Sequence, residues 1–201
     1  MIKDAPIQEP QLGAPGAGLP KVELWIARWL FGRRRRRATR EEATALFEKE
    51  RQRIEELVRD LPTEVASKRV LIPRPRGLED SSRYWSVFMV LDHLRIINHG
   101  ITETIRLLAS GQTPSRVAST AAVKPSPKAG PDSLAGFERT CEQFERCVSA
   151  VSDLRTAKKY AHPWFGPLDG AGWHLIAGVH MGLHRGQIET ILATQAASKE
   201  A

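Results

Sequence analysis

Two histidines four residues apart, His180 and His184, stand in the string WHLIAGVHMGLHRGQIETIL near the end of the chain. On an α-helix that spacing stacks two imidazoles one turn apart on one face, where both can bind a single ion. Leu183, Gln187, Ile188 and Ile191 continue the same side, so the pair faces a protein interior or a pocket opening from it. A third imidazole would complete a set of three. His93 is the donor on offer, on a stripe with Val90, Ile97 and Ile101. Three neutral nitrogen ligands with an open fourth position is the arrangement of catalytic zinc, whereas structural zinc is closed by four protein ligands. Imidazole donors also accept nickel, iron or copper. The alternative is a pair of ordinary surface or core histidines, because HxxxH alone is a weak signal.

Other candidates lie around this set. Glu50, the polar member of an apolar seam, either orients a ligand histidine as carboxylates commonly do or reaches solvent from the seam's edge. Asp92 and Gln187 adjoin ligand positions and could hydrogen-bond to the rings. His99 and His174 each stand six residues from a ligand position, about 120° off its stripe, and are not expected to ligate. His162 belongs to the turn-rich stretch HPWFGPLDG and is expected to pack in a loop. Cys141 falls on an apolar stripe, where a free cysteine behaves as a small apolar residue rather than a nucleophile. Cys141 and Cys147 point apart on one helix and are too few to staple a secreted fold. No Gly-rich phosphate loop, Ser-His-Asp pattern or zinc ribbon is present.

The elements that must position these residues are helices. The chain has 201 residues, 41% hydrophobic and 26% charged, enough for one globular domain and some tail. Residues 1–20, rich in Pro and Gly without periodicity, read as a disordered tail. Residues 21–38 read as an amphipathic helix, with Val22, Trp25, Ile26 and Trp29 on one face and Arg33 to Arg37 at its end. Thr39 and Glu42 have the form of a capping box and open a bundle spanning 39–196, followed by a short tail at 197–201. The first bundle helix has the seam Ala43, Phe47, Glu50, Ile54, Leu57, Leu61. A second, roughly 81–110, is capped by Asp80 or Ser81 and stopped by Gly111. The third carries Leu134, Phe137, Cys141, Phe144, Val148 and Val151, and the fourth runs from an Asp169 cap to about Thr194. No alternating strand pair is visible. Four such helices make an all-α four-helix bundle, and the connector Gln112–Pro131 is long enough to cross its length, as parallel neighbours require.

With the helices in place, His180-Met-Gly-Leu-His184-Arg185-Gly186-Gln187 late in the fourth helix, together with His93 midway along the second, resembles the DinB-like superfamily, whose signature is a helix-two histidine plus HxxxHRGQ. The resemblance spans about residues 40–195. It implies an up-down-down-up bundle in which His93, His180 and His184 hold one divalent metal: zinc, nickel, iron or manganese. Relatives of this kind include S-transferases that use low-molecular-weight thiols and a maleylpyruvate isomerase, so the resemblance also implies a metal- and thiol-dependent transferase or isomerase acting on a small-molecule substrate. A non-catalytic metal-binding or stress-response module is the competing reading. Many members carry a further histidine before the last ligand. Here that position is Leu183, and the N-terminal appendage has no counterpart in the simple pattern.

The charge is concentrated in that appendage. Of a net charge of +7, residues 1–40 contribute +6, from nine Lys or Arg against Asp4, Glu9 and Glu23. The basic balance therefore says little about the body. Residues 22–37 suit an extra helix packed on the bundle or a helix docked on a membrane surface. Nucleic-acid contact is not favoured, since nothing here reads bases, and a homo-oligomer remains compatible. The first twenty residues hold four prolines instead of a signal-peptide core, and no apolar run reaches membrane-spanning length, so the chain is expected in the cytoplasm, at most peripheral to a membrane.

Overall fold

In the computed structural model, which describes residues 9–200, six helices run in chain order: α1 Lys21–Arg37, α2 Arg40–Val58, the short α3 Thr63–Ser67, α4 Val87–Ala109, α5 Asp132–Ala150 and α6 Gly170–Glu200. The local signals explain most boundaries. Thr39 accepts from Glu42 N (3.2 Å) while Glu42 accepts from Thr39 N (3.0 Å), so both halves of the capping box form. Asp169 Oδ1 accepts from Gly172 N (2.9 Å) and opens α6. At the end of α4, Gly111 at φ 77 lets Gln112 N reach Leu107 O (2.8 Å) and Gly111 N reach Leu108 O (3.1 Å), a Schellman closure that a residue with a Cβ adopts poorly.

The start of α4 differs from expectation. Its cap is Ser86, whose hydroxyl accepts from Met89 N (3.2 Å). Asp80 and Ser81 instead form a 3-10 turn, Asp80–Ser82, and the next residues enter a ladder. That ladder pairs β1 Val70–Leu71 antiparallel with β2 Tyr84–Trp85, and a second pairs β3 Tyr160–His162 with β4 Gly166–Leu168. Neither was legible, because two or three residues are too few to show alternation. The last helix also runs to Glu200, beyond the boundary expected at 196.

Helix directions follow from residue pairs. Between α4 and α5, Asn98 meets Cys141 and Thr102 meets Cys147, numbers rising together, so these helices are parallel. Between α2 and α6, Thr44 meets His174 and Glu50 meets Arg185, again parallel. Between α2 and α5 the order reverses: Arg40 at the start of α2 donates to Val151 O (2.7 Å) past the end of α5, whereas Phe47, two turns on, stacks on the earlier Phe144 (centroids 4.1 Å). The bundle α2-α4-α5-α6 is therefore up-down-down-up, and the connector between α4 and α5 makes the required crossing. Phe47, Ile54, Leu91, Leu94, Ile105, Phe137, Phe144, Met181 and Ile188 fill the interior. Each such side chain contributes roughly 1.5–3 kcal/mol of burial.

Of the N-terminal segment expected to be a disordered tail, residues 1–8 lie outside the described residues. Residues 9–20 carry no helix or strand but are held against the body. Glu9 pairs with Arg69, Gly13 N donates to Asp80 (2.6 Å), Gly16 and Gly18 donate to Glu79 (3.1 and 3.3 Å), and Leu19 is buried. A Pro- and Gly-rich segment lacks a helical or strand periodicity yet has free backbone N–H groups, and two carboxylates on the body supply acceptors.

Candidate metal centre

His180 and His184 sit one turn apart on α6, facing α4, which runs antiparallel and presents His93. One ring nitrogen from each of the three lies within 4.8 Å of the others. His93 Nε2 and His180 Nε2 are 3.3 Å apart. Tetrahedral zinc, with Zn–N bonds of about 2.0–2.1 Å, holds its nitrogens about 3.3–3.4 Å apart. His93 and His184 are buried, and His180 is half-buried.

Tautomers follow from the acceptors. His93 Nδ1 faces Val123 O at 2.7 Å, and a carbonyl only accepts, so Nδ1 carries the hydrogen and Nε2 presents its lone pair to the cluster. Gln187 Nε2 donates to Ser82 O (2.7 Å), which turns Gln187 Oε1 toward His184 Nδ1 (2.7 Å). His184 is thereby also protonated at Nδ1 and free at Nε2. His180 Nδ1 is buried without a partner. Trp85, delivered by β2, lies nearly parallel to the His184 ring (7°, centroids 6.1 Å) and tilted against His93 (5.2 Å).

Electrostatics keep the rings neutral. Burial pushes His93 down to about 4, against the opposing effect of its hydrogen bond to Val123 O. Burial also holds His180 and His184 well below the ordinary imidazole value, with the neighbouring rings and, for His184, the Lys124 ammonium adding to it. Lys124 reaches in from the α4–α5 connector, its Nζ 5.4 Å from the Trp85 ring, 3.2 Å from Glu79 and 2.7 Å from Ser81 Oγ. Burial works to raise the Glu79 carboxyl, but Gly16 N–H, the Thr120 hydroxyl and Lys124 outweigh it and keep it below the usual carboxylate range. Connector and N-terminal segment thus meet on one carboxylate beside the cluster.

The other candidates separate clearly. Gln187 orients His184. Asp92 instead accepts from Ser126 N (2.9 Å) and Arg95, anchoring the connector that supplies Val123. Glu50 neither touches a ligand ring nor reaches solvent; it is buried against Arg185 (2.6 Å). His99 is exposed, and His174 is buried against Phe144 and Thr44, away from the triad. His162 sits on β3, packed on Phe165 and Trp173. Cys141 and Cys147 are free, and burial raises both thiols, so neither is an activated nucleophile. Sequence reasoning missed Trp85, Val123, Lys124, Glu79 and Ser82. All five come from irregular or very short segments without periodicity.

The sequence profile of the DinB superfamily matches residues 46–188, which include all three histidines, the whole of α4, and α6 as far as Ile188. The chain belongs to the DinB superfamily. Among solved structures it is similar to the crystal structure of TT2238, a four-helix bundle protein, with a TM-score of 0.55 at 20% identity, covering 75% of this chain and 98% of that one. That likeness shows the fold. No curated protein matches the chain. The profile begins at residue 46, so this DinB protein carries α1 and the segment before it outside the family region.

Proposed function

We propose that this DinB protein holds one divalent ion, zinc, nickel, iron or manganese, through His93, His180 and His184 and uses it to transfer or isomerise a small substrate with a low-molecular-weight thiol. The observation that carries the reading is the convergence of neutral ring nitrogens whose opposite sides are already committed: His93 to Val123 O and His184 to Gln187. The orphaned Nδ1 of His180 fits the same group, since a ring lacking a protein partner at Nδ1 gains orientation from a bond at Nε2. An ion held there would act as a Lewis acid, favouring the thiolate form of a thiol beside it. The chain's own residues do the rest. Trp85 walls the cluster from solvent, and Lys124 contributes a positive field that favours an anionic ligand. We place the protein in the cytoplasm, where such thiols stay reduced.

A second reading, a non-catalytic metal-binding or stress-response module, is favoured by the closeness of the cover. Val123 O closes the Nδ1 edge of the buried His93 ring, and Lys124 lies over the face of Trp85 beside it. One experiment addresses both. Replacing His93, His180 or His184 by Ala should each sharply weaken binding of added zinc or nickel, while His99→Ala should not. Saturating metal should stabilise the wild type, by about 2.7 kcal/mol at one hundred times the dissociation constant. Metal-loaded protein should accelerate conjugation of a test electrophile with a small thiol, and His184→Ala should lose that gain. Metal binding without any acceleration would favour the module; melting curves unmoved by every metal would remove both readings.

A further inference from the structure

Helix α1 is fixed to the body by one face and presents the other to solvent. Phe31 is buried against Phe165 (centroids 4.5 Å), Glu23 pairs with Arg74 and accepts from Gly77 N, Arg28 donates to Trp164 O (2.6 Å), and Arg35 pairs with Asp169 (3.0 Å). These ties run from the turn before α4 to the β3–β4 hairpin, so the helix cannot roll its other face inward without breaking them. That other face is apolar and open: Val22 is 72% exposed, Trp25 68%, Trp29 54% and Leu30 53%, with Ile26 among them. Exposing two tryptophans and three aliphatic side chains on one strip is costly for a surface meant to stay in water.

The strip continues into charge. Arg33, Arg34, Arg36 and Arg37 are exposed, and none pairs with a carboxylate among the described residues, whereas Arg35, on the packed face, does. One or two cations would satisfy the helix C-terminus. Four unpaired ones beside an apolar strip form a second feature. Arg33 lies 5.9 Å from the Trp29 ring centre, so the two parts adjoin.

We propose that α1 is a docking surface for an anionic lipid membrane, with Val22, Trp25, Ile26, Trp29 and Leu30 seated at the headgroup–acyl boundary and the four free arginines on lipid phosphates. The occupant follows from the two chemistries together. Nucleic acid would take the arginines but gives Val22, Ile26 and Leu30 nothing to bury against. A second copy of the chain could cover the apolar strip, but it would bring four more arginines and no carboxylate cluster to neutralise them. A lipid surface satisfies both, with Trp at the interface and Arg at the phosphates. The helix lies flat on such a surface. Among the described residues none of the helices is long and apolar enough to cross a membrane.

The test uses the full chain in vesicle flotation, with phosphatidylcholine alone or with ~30% phosphatidylserine, and follows tryptophan emission. Binding to the anionic vesicles with a blue shift, weakening as salt rises, and little binding to neutral ones is the expected result. Arg33→Gln with Arg36→Gln should lower partitioning ~30-fold, from about 1 kcal/mol per basic residue near an anionic surface. Trp25→Ser with Trp29→Ser should lower it at least as much while leaving the far-UV spectrum unchanged, because both rings face solvent. Equal binding to neutral vesicles, unchanged binding of the Trp variant, a dimer in light scattering that disappears in the Trp variant, or oligonucleotide binding indifferent to the Trp changes would each overturn the proposal. None of these readouts depends on the histidine cluster.

Discussion

Replacing Arg185 by Ala isolates a contact that joins α6 to α2 just beside the histidines. Arg185 Nε lies 2.6 Å from Glu50 Oε2, and the Glu50 side chain is only 8% exposed. A second pair, to Glu189 at 2.6 Å, is half exposed at its acidic end and worth at most about 0.5 kcal/mol. The cost therefore comes from Glu50, whose carboxylate would be left in the α2–α6 interface without its partner. Breaking a buried pair from one side costs about 3–5 kcal/mol, and because the Arg185 side chain is 20% exposed the lower end applies, ~3 kcal/mol. With a urea m-value of ~2 kcal/mol/M, the unfolding midpoint followed by far-UV circular dichroism should fall by ~1.5 M. The double variant Glu50→Leu, Arg185→Leu removes both charges from the same space and should recover most of the loss. An Arg185→Ala midpoint within about 0.3 M of the wild type at unchanged m, or a double variant no more stable than the single one, would refute this reasoning.

Two further predictions rest on packing and protonation. At Gly178 an added Cβ would stand 2.9 Å from Leu46 Cγ and 3.1 Å from Phe47 N, so Gly178→Ala, which in an open helix gains about 1 kcal/mol, should instead destabilise by 1–3 kcal/mol as α2 and α6 are forced apart; a gain in melting temperature would contradict it. His174 is 1% exposed and pushed down to about 4 by burial, so its contribution is complete above its unfolded value near 6.5 and is lost as pH falls from there toward 4, ~3 kcal/mol in all. His174→Gln should therefore flatten the loss of stability between pH 7 and pH 4.5 in urea titrations, and an unchanged slope would count against the buried neutral ring.

The helical parts of the molecule were legible because their seams repeat. Ala43, Phe47, Glu50 and Ile54 on α2 and Phe137, Cys141, Phe144 and Val148 on α5 are all buried as their spacing requires. Periodicity locates an apolar stripe but does not say what covers it. On α1 the stripe of Val22, Trp25, Ile26 and Trp29 is exposed, and the packed face is held by Phe31 with Glu23, Arg28 and Arg35, whose polar partners lie some 50 to 140 residues away in the chain. The same limit applies at the histidines. The three rings share helical positions that a 3.6-residue period exposes, but Val123 and Lys124 come from a connector with no period and reach the rings through backbone and charge contacts across the fold.

His184-Arg185-Gly186-Gln187 is best understood as one positioning device. His184 faces the cluster, and Gln187, one turn on, takes the hydrogen of its Nδ1 while donating to Ser82 O in the 3-10 turn that precedes β2 and Trp85. Arg185 points to the other side and locks α6 to α2 through Glu50. The rotation of α6 about its own axis is thus fixed from two directions, by the amide of Gln187 against the turn before α4 and by the guanidinium of Arg185 against α2. A donor atom displaced by an ångström no longer shares an ion with its neighbours, given metal–nitrogen bonds of about 2.0–2.1 Å. Fixing that rotation is what allows His180 and His184 on one helix to meet His93 on another. Gly186 has open space where a Cβ would stand, so this geometry gives no steric reason for a glycine there.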